Sequence, residues 1–74
     1  MTDEQALAVI QAMKLEILRK DTPYSLYVNL AGSMIFHQTG SRADIEAEKL
    51  GTYDLVGIYN KRARLADILK DAGL

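Results

Sequence analysis

The residues that could carry acid–base or metal chemistry are few and lie far apart. His37 is the only histidine and there is no cysteine, so the usual ligands of a zinc site and a Cys–His nucleophile are missing. Asp44 and Glu48 are one helical turn apart, with Glu46 between them. Such a pair on a short helix is usually solvated rather than catalytic. The sequence therefore predicts no enzyme, no catalytic residue, no metal site and no cofactor.

Residues 43–62 partly match a helix-turn-helix. The match consists of a small residue, Ala47, followed four positions later by a glycine in the turn, Gly51. In this alternative the protein is a small DNA-binding transcriptional regulator. Tyr53 would face the major groove, and Lys61 and Arg64 would contact phosphates. The net charge of −1 and the acidic Asp54 argue against it. Nucleic acid is therefore the less favoured partner.

The first half of the chain predicts a helix followed by a β-hairpin. Thr2 and Gln5 have the spacing of a capping box, and Pro23 stops the helix, which predicts a helix over about 3–20. Residues 24–30 alternate between apolar and polar positions, and residues 34–39 form a second short strand.

Two registers are open for this hairpin. A two-residue turn at 32–33 pairs Leu30 with Ile35, whereas a three-residue loop at 31–33 pairs Leu30 with Met34. We favour the second because a buried face normally dictates register. It gathers on one face Tyr24, Leu26, Val28, Leu30, Met34 and Phe36. The other face then carries His37 with Tyr27 and Ile35, as a contact patch or as the seat of a short helix.

The second half of the chain predicts two more helices. Ser41 can cap a short helix that runs to Leu50. Thr52 can cap a long helix that closes at Gly73, since apolar residues recur at helical spacing from Leu55 onward. The predicted fold is one α+β domain over 1–74, of order αββαα, with a single layer of helices on a two-stranded antiparallel hairpin.

Helix 1 carries two apolar stripes on opposite sides. Ala6, Ile10, Met13 and Ile17 form the first, which should cover the hairpin. Ala8, Ala12 and Leu15 form the second, hereafter the outer stripe. The outer stripe must be covered by the third helix or by another subunit, because so small a domain has a marginal core.

Arg62 falls among apolar residues on the wheel of the predicted third helix. No acid stands one turn away from it. A buried unpaired guanidinium is very costly, so Arg62 must extend to solvent or find a carboxylate. The candidate carboxylates are those of Glu16, Asp21 or a partner protein.

These features favour a small protein-interaction or assembly module that forms homo-oligomers. Helix–hairpin–helix order also occurs in small phage head–tail joining proteins, which extends the hypothesis by analogy to a phage- or bacterial-type accessory or inhibitor protein. We expect a cytoplasmic protein with no membrane partner and no small-molecule substrate. The predicted interface residues are Ala8, Ala12, Leu15, Arg62, Tyr27 and Ile35.

Overall fold

The chain forms a three-stranded antiparallel sheet with helices on both faces. The computed structural model describes residues 1–74. In chain order the elements are α1 (Asp3–Lys20), β1 (Tyr24–Asn29), β2 (Met34–Gln38), α2 (Arg42–Lys49), β3 (Tyr53–Tyr59) and α3 (Leu65–Asp71). The sheet order is β2-β1-β3, so β1 is central. The predicted α+β class is confirmed, but the order αββαα is wrong because a third strand replaces the first part of the long C-terminal helix.

Helix α1 begins and ends as predicted. The hydroxyl of Thr2 accepts a hydrogen bond from the backbone N–H of Gln5, and the Gln5 side chain accepts one from the backbone N–H of Thr2, at 3.2 and 2.9 Å. Two of the free N–H groups at the helix start are satisfied in this way. At the other end Asp21 adopts a left-handed conformation with φ of 51°, and the chain leaves the helix before Pro23.

The hairpin has neither of the two predicted registers. Val28 pairs with Met34, whereas the favoured register paired it with Phe36. A shift of two residues leaves every side chain on its predicted face, since strand residues alternate with period two. The buried face is therefore as predicted except for Leu30, which lies in the turn and is 97% exposed.

The hairpin turn explains this register. Asn29 donates its backbone N–H to the carbonyl of Ser33 at 3.0 Å, and its side-chain oxygen accepts the Ser33 N–H at 2.8 Å. The loop is therefore 30–32. Its third residue, Gly32, has φ of 80°, the left-handed conformation that three-residue hairpin loops need at that position.

Strand β3 occupies residues that the apolar spacing assigned to a helix. Leu26 pairs with Gly57 and Tyr27 with Leu55, so Val56 is an extra residue in a β-bulge. Aromatic and β-branched residues fill most of β3, and both types favour strands. The helix that remains, α3, buries Ile68.

The two faces of the sheet carry different helices. On one face, α1 and α3 close the main core, and the sheet contributes Tyr24, Leu26, Met34 and Tyr59. On the other face lies α2, whose buried residues are Asp44 and Ala47. The predicted single layer of helices is therefore wrong. Only 13 of 74 residues are buried, so a large share of the apolar surface remains exposed.

Candidate functional site

Two surfaces of the protein expose apolar side chains together. One is the outer stripe of α1, and the other is a cleft between α2 and the sheet. None of the helices has the length and hydrophobicity needed to cross a bilayer. We describe the two surfaces in turn, since apolar residues grouped at a surface are a common mark of protein interfaces.

The outer stripe is not covered by α3. Ala8 and Ala12 are exposed, and 69% of Leu15 is accessible to solvent. Helix α3 packs against the inner side of α1, where Ile68 joins the same core as Ile10. Of the two predicted covers for the stripe, the intramolecular one is therefore ruled out.

The outer stripe extends onto the start of α3. Leu15 and Leu65 border one shallow depression of about 350 Å³, together with Gln11 and Lys14. Leu65 is 37% exposed, and Leu18 on the flank of the stripe is also exposed. The apolar surface therefore spans two elements.

The second surface, which we call the α2 cleft, is a cavity of about 260 Å³ on the face of the sheet that α2 covers only in part. Ser25 lies at its base, where its hydroxyl is 3.1 Å from that of Thr39. The residues lining the cleft are Ser25 and Tyr27 of β1, Thr39, Gly40, Asp44, Ile45 and Glu48 of α2 and the preceding loop, and Leu55 and Ile58 of β3.

The β-bulge sets the apolar wall of the α2 cleft. Leu55 pairs with Tyr27 and Ile58 with Ser25, so both residues point to the same face although they are three positions apart. Each is more than half exposed. In a regular strand, residues three positions apart such as Leu55 and Ile58 would lie on opposite faces.

Asp44 is the unusual residue of the cleft. It is the third residue of α2, and its backbone N–H donates a hydrogen bond of 3.1 Å to the hydroxyl of the N-cap residue Ser41. The residue is 5% exposed, and neither carboxylate oxygen makes a hydrogen bond of regular geometry. Burial raises the pKa of Asp44, whereas His37, the backbone N–H groups of Ser41 and Gly40 and the hydroxyl of Ser25 lower it. These nearby groups offset part of the cost of burying the carboxylate.

The predicted contact patch at Tyr27 and Ile35 is the seat of α2. Tyr27 is 5% exposed and lines the α2 cleft, while Ile35 on the edge strand β2 is half-buried. Burial raises the pKa of Tyr27, and the negative charge of Asp44 adds to this. Tyr27 therefore borders the α2 cleft from below and does not itself form an exposed patch.

Arg62 lies in the loop between β3 and α3, not on a helix. Its backbone N–H donates to the side chain of Asn60 at 2.9 Å, and its side chain is exposed without an ion pair. The two intramolecular candidates are engaged elsewhere, since Asp21 pairs with Lys61 at 3.2 Å and Glu16 pairs with Arg19 at 2.7 Å. The expectation of a guanidinium among apolar residues is wrong because the helix that required it does not form.

Lys14 of α1 holds this basic loop in place. Its ammonium donates to the carbonyl of Ala63 and, at 3.2 Å, to that of Lys61. The loop conformation is thereby tied to α1, next to the depression bordered by Leu15.

The helix-turn-helix at 43–62 is not formed, because residues 53–59 are a strand. Tyr53 pairs with Asn29 at one end of β3, whereas Lys61 and Arg64 follow its other end. A strand of this length spans about 20 Å, so the three predicted DNA contacts are not brought together. DNA binding stays a prediction without this geometric basis.

His37 lies half-buried on the edge strand β2, on the same face as α2. No group of three His, Asp or Glu side chains is arranged to hold a metal ion. Asp44 and Glu48 share a face as predicted and both line the cleft. Glu46 faces elsewhere and pairs with Arg42 at 3.2 Å.

Sequence reasoning did not anticipate the α2 cleft. The sequence pattern predicts Leu55 and Ile58 in the apolar face of a helix and Asp44 on a solvated face. The density of aromatic and β-branched residues over 53–59, with Gly57 in the interior, was the available signal for a strand. The chain matches no protein-family model, no curated protein and no solved structure.

Proposed function

We propose that the protein is an interaction module that assembles with a second copy of itself through the outer stripe of α1. The observation that carries the proposal is the exposure of this stripe on the side of α1 opposite the core. A domain that buries so few residues gains most from covering such a surface. Paired copies related by a two-fold axis are the commonest form of assembly.

The sequence of α1 is self-complementary for antiparallel pairing. Ala8 and Leu15 lie equally far from the helix midpoint between Gln11 and Ala12. A two-fold axis at this midpoint therefore sets Ala8 of one copy against Leu15 of the other. The alanines allow the two helix axes to approach closely, and each large Leu15 packs beside a small residue.

The charges of α1 favour the same arrangement. Asp3 and Glu4 lie in its first turn and Arg19 and Lys20 in its last. In an antiparallel pair Glu4 lies opposite Arg19 of the second copy, since the two are also equally far from the midpoint. The helix dipoles oppose each other as well. Glu16 already neutralises Arg19 within one copy at 2.7 Å, so this contribution is modest.

Mass in solution, measured by light scattering, tests the proposal. We expect a dimer for the wild type and a monomer for Leu15→Glu at the same concentration, because the substitution places two carboxylates in the paired stripe. Leu30→Glu is the matched control, since Leu30 is fully exposed in the hairpin turn. It should remain a dimer. A monomeric wild type, or a Leu15→Glu variant that still dimerises, contradicts the proposal.

A charge exchange tests the pairing direction. Glu4→Arg and Arg19→Glu should each weaken the dimer, and the double variant should recover part of the loss. A double variant as weak as the two single changes combined would exclude the antiparallel arrangement.

A further inference from the structure

The hydrogen bonds at the two ends of the hairpin show which backbone groups of β2 face outward. Asn29 donates its N–H to the carbonyl of Ser33, and Thr39 donates its N–H to the carbonyl of Pro23, both at 3.0 Å. In an antiparallel ladder, residues alternate between facing the neighbouring strand and facing away from it. The residues of β2 that face away from β1 are Met34, Phe36 and Gln38.

This outer edge of β2 has a regular row of backbone groups without partners in the chain. The N–H groups of the three outward residues donate to no other element, and the carbonyls of Met34 and Phe36 accept nothing. Only the carbonyl of Gln38 is used, by the N–H of Ser41 at 3.0 Å. An extended strand is the ligand whose own N–H and C=O groups repeat at the same spacing, so the hydrogen bonds specify the kind of occupant.

The two edges of the sheet differ in how they are protected. The other edge strand, β3, is interrupted by the bulge at Val56 and carries the exposed charge of Asp54, and both features hinder the addition of a further strand. Strand β2 pairs with β1 without a register shift, and it contains no proline and no Asp, Glu, Lys or Arg. The regular, unprotected edge is therefore that of β2.

Apolar side chains reach this edge on both faces of the sheet. On the face of α1, Phe36 is half-buried against the main core, with its ring 5.8 Å from that of Tyr24. On the face of α2, Ile35 is half-buried. A strand added beside β2 would cover both side chains if its own central residues were apolar.

One end of the edge has an excess of positive charge. Gln38 pairs with Tyr24, and the hydroxyl of Tyr24 donates to the carboxylate of Glu16 at 3.2 Å. Arg19 and Lys20 both pair with this carboxylate, at 2.7 and 3.6 Å, and both are exposed. Two cations thus share one anion, so an acidic residue of an added strand is attracted to this end.

We propose that the outer edge of β2 is a docking site for an extended segment of a second, different protein. The segment adds as a fourth strand antiparallel to β2, with apolar residues opposite Phe36 and Ile35 and an acidic residue opposite Gln38. Antiparallel pairing sets a residue of the segment directly opposite each outward residue of β2. A second copy of β2 does not meet the requirement, because it has no acidic residue.

The probe is the peptide Ac-Glu-Thr-Val-Val-Thr-NH2, titrated into ¹⁵N-labelled protein and followed by NMR. The outward amides of Met34, Phe36 and Gln38 should shift most and should gain at least about tenfold protection against hydrogen exchange, since they become hydrogen-bonded. Shifts confined to β3 or to the α2 cleft would overturn the proposal.

N-methylation of the peptide tests the strand geometry with a matched control. The first valine lies opposite Phe36, so its N–H points at β2, whereas the N–H of the second valine, opposite Ile35, points away. Methylation of the first valine should weaken binding at least about tenfold, and methylation of the second should leave binding nearly unchanged. If both methylated peptides bind equally well, the segment does not pair as a strand.

A charge exchange in the peptide tests its orientation. Ac-Lys-Thr-Val-Val-Thr-NH2 places a cation beside Arg19 and Lys20 and should bind severalfold more weakly at low salt, with a smaller difference at high salt. Equal binding of the two peptides at low salt would overturn the assignment of the acidic residue to the Gln38 end.

Gln38→Pro tests the same edge from the side of the protein. It removes an outward N–H, and edge strands tolerate proline at such positions, so the variant should fold but bind the peptide at least severalfold more weakly. Leu30→Pro is the matched control, because Leu30 is 97% exposed in the hairpin turn and its N–H donates to no other residue. Binding by Gln38→Pro as tight as by the wild type would contradict the proposal.

The Leu15→Glu variant separates this proposal from pairing through α1. It should bind the peptide as the wild type does, because the edge of β2 does not include the outer stripe. Peptide binding without dimerisation would support the edge of β2 alone, and dimerisation without peptide binding would support the outer stripe alone. If the three outward amides of Leu15→Glu are already protected from exchange without peptide, a second copy occupies the edge and the proposal fails.

Discussion

Tyr59 joins β3 to α3 through its hydroxyl group. The hydroxyl donates to the carboxylate of Asp71 at 2.8 Å, and the ring is 7% exposed. Burial, together with the hydrogen bond to Asp71 and its negative charge, raises the pKa of Tyr59 to about 12. The folded state therefore holds this proton at a pH at which the unfolded chain has released it.

The stability of the protein should consequently fall in alkali. Below pH 10 the phenol is neutral in both states, and its contribution is constant. Between pH 10 and about 12 only the unfolded state ionises, so the free energy of unfolding decreases, by about 2 kcal/mol over the range. Urea unfolding at pH 7, 9, 10.5 and 11.5 measures this loss.

Tyr59→Phe is the control for this loss. It should be about 1 kcal/mol less stable than the wild type at pH 7, because it lacks the hydrogen bond. Its stability should decline less steeply above pH 10, with Tyr27 contributing the part that remains. Equal slopes for the two proteins would show that Tyr59 is not the group responsible.

The packing of strand β3 depends on the glycine at position 57. A Cβ added at Gly57 would lie 2.6 Å from the Tyr59 hydroxyl oxygen and 2.7 Å from the adjacent ring carbon. The ring of Tyr59 thus lies over Gly57, two residues earlier on the same face. A larger residue fits beneath it only if the ring of Tyr59 moves.

Gly57→Ala should therefore destabilise the protein by about 1–3 kcal/mol. A loss of stability would be informative, because replacing a strand glycine by alanine otherwise lowers the entropic cost of folding and stabilises the protein. The measurement is chemical unfolding of Gly57→Ala in two backgrounds, wild type and Tyr59→Leu. The shorter leucine should relieve the clash, so the substitution should cost less there. If Gly57→Ala costs the same free energy of unfolding in both backgrounds, the Tyr59 ring is not the cause of the destabilisation.

The elements differ in how well the sequence predicts them. Helix α1 was predictable to its ends, because its capping box, charge distribution and terminal proline are local signals. The buried face of the hairpin was predictable from period two. The register was not, because it depends on the left-handed conformation of Gly32.

Strand β3 shows why the rest of the fold was not predictable. A bulge places Leu55 and Ile58 on one face of a strand at a spacing of three, the spacing that also marks one face of a helix. A single sequence does not reveal a bulge, because it arises from pairing with β1. The α2 cleft follows from β3, so it was equally hidden. The outer stripe, by contrast, is visible on the helical wheel of α1. The wheel leaves two alternatives, a cover by the third helix or exposure to another subunit, and the second is the one that agrees with the fold.

The exposure of so much apolar surface does not result from loose packing of the chain. The radius of gyration is 11.3 Å, and a folded domain of 74 residues is expected to have about 11 Å. The extents of 28 × 27 × 15 Å describe a flat slab. Such a shape has two broad sides, and the outer stripe and the α2 cleft belong to opposite outer layers. A dimer formed through α1 would therefore expose the α2 cleft of each copy on its outer surface.

Dimerisation should also appear in the stability of the protein. If folded copies associate, the thermal midpoint of the wild type should rise by a few degrees when the protein concentration is raised tenfold. The midpoint of Leu15→Glu should stay constant. A midpoint independent of concentration in the wild type would contradict assembly over that range.

The central position of β1 has a consequence for a chain emerging from the ribosome. Strand β1 ends at Asn29 and its neighbour β2 follows at Met34, but its other neighbour, β3, begins only at Tyr53. Until then one edge of β1 has unpaired backbone groups, and the core side of the sheet lacks Tyr59 and Ile68. A chain that emerges in this order exposes an open strand edge beside an incomplete core before β3 follows, the condition in which chaperones protect growing chains from pairing with one another.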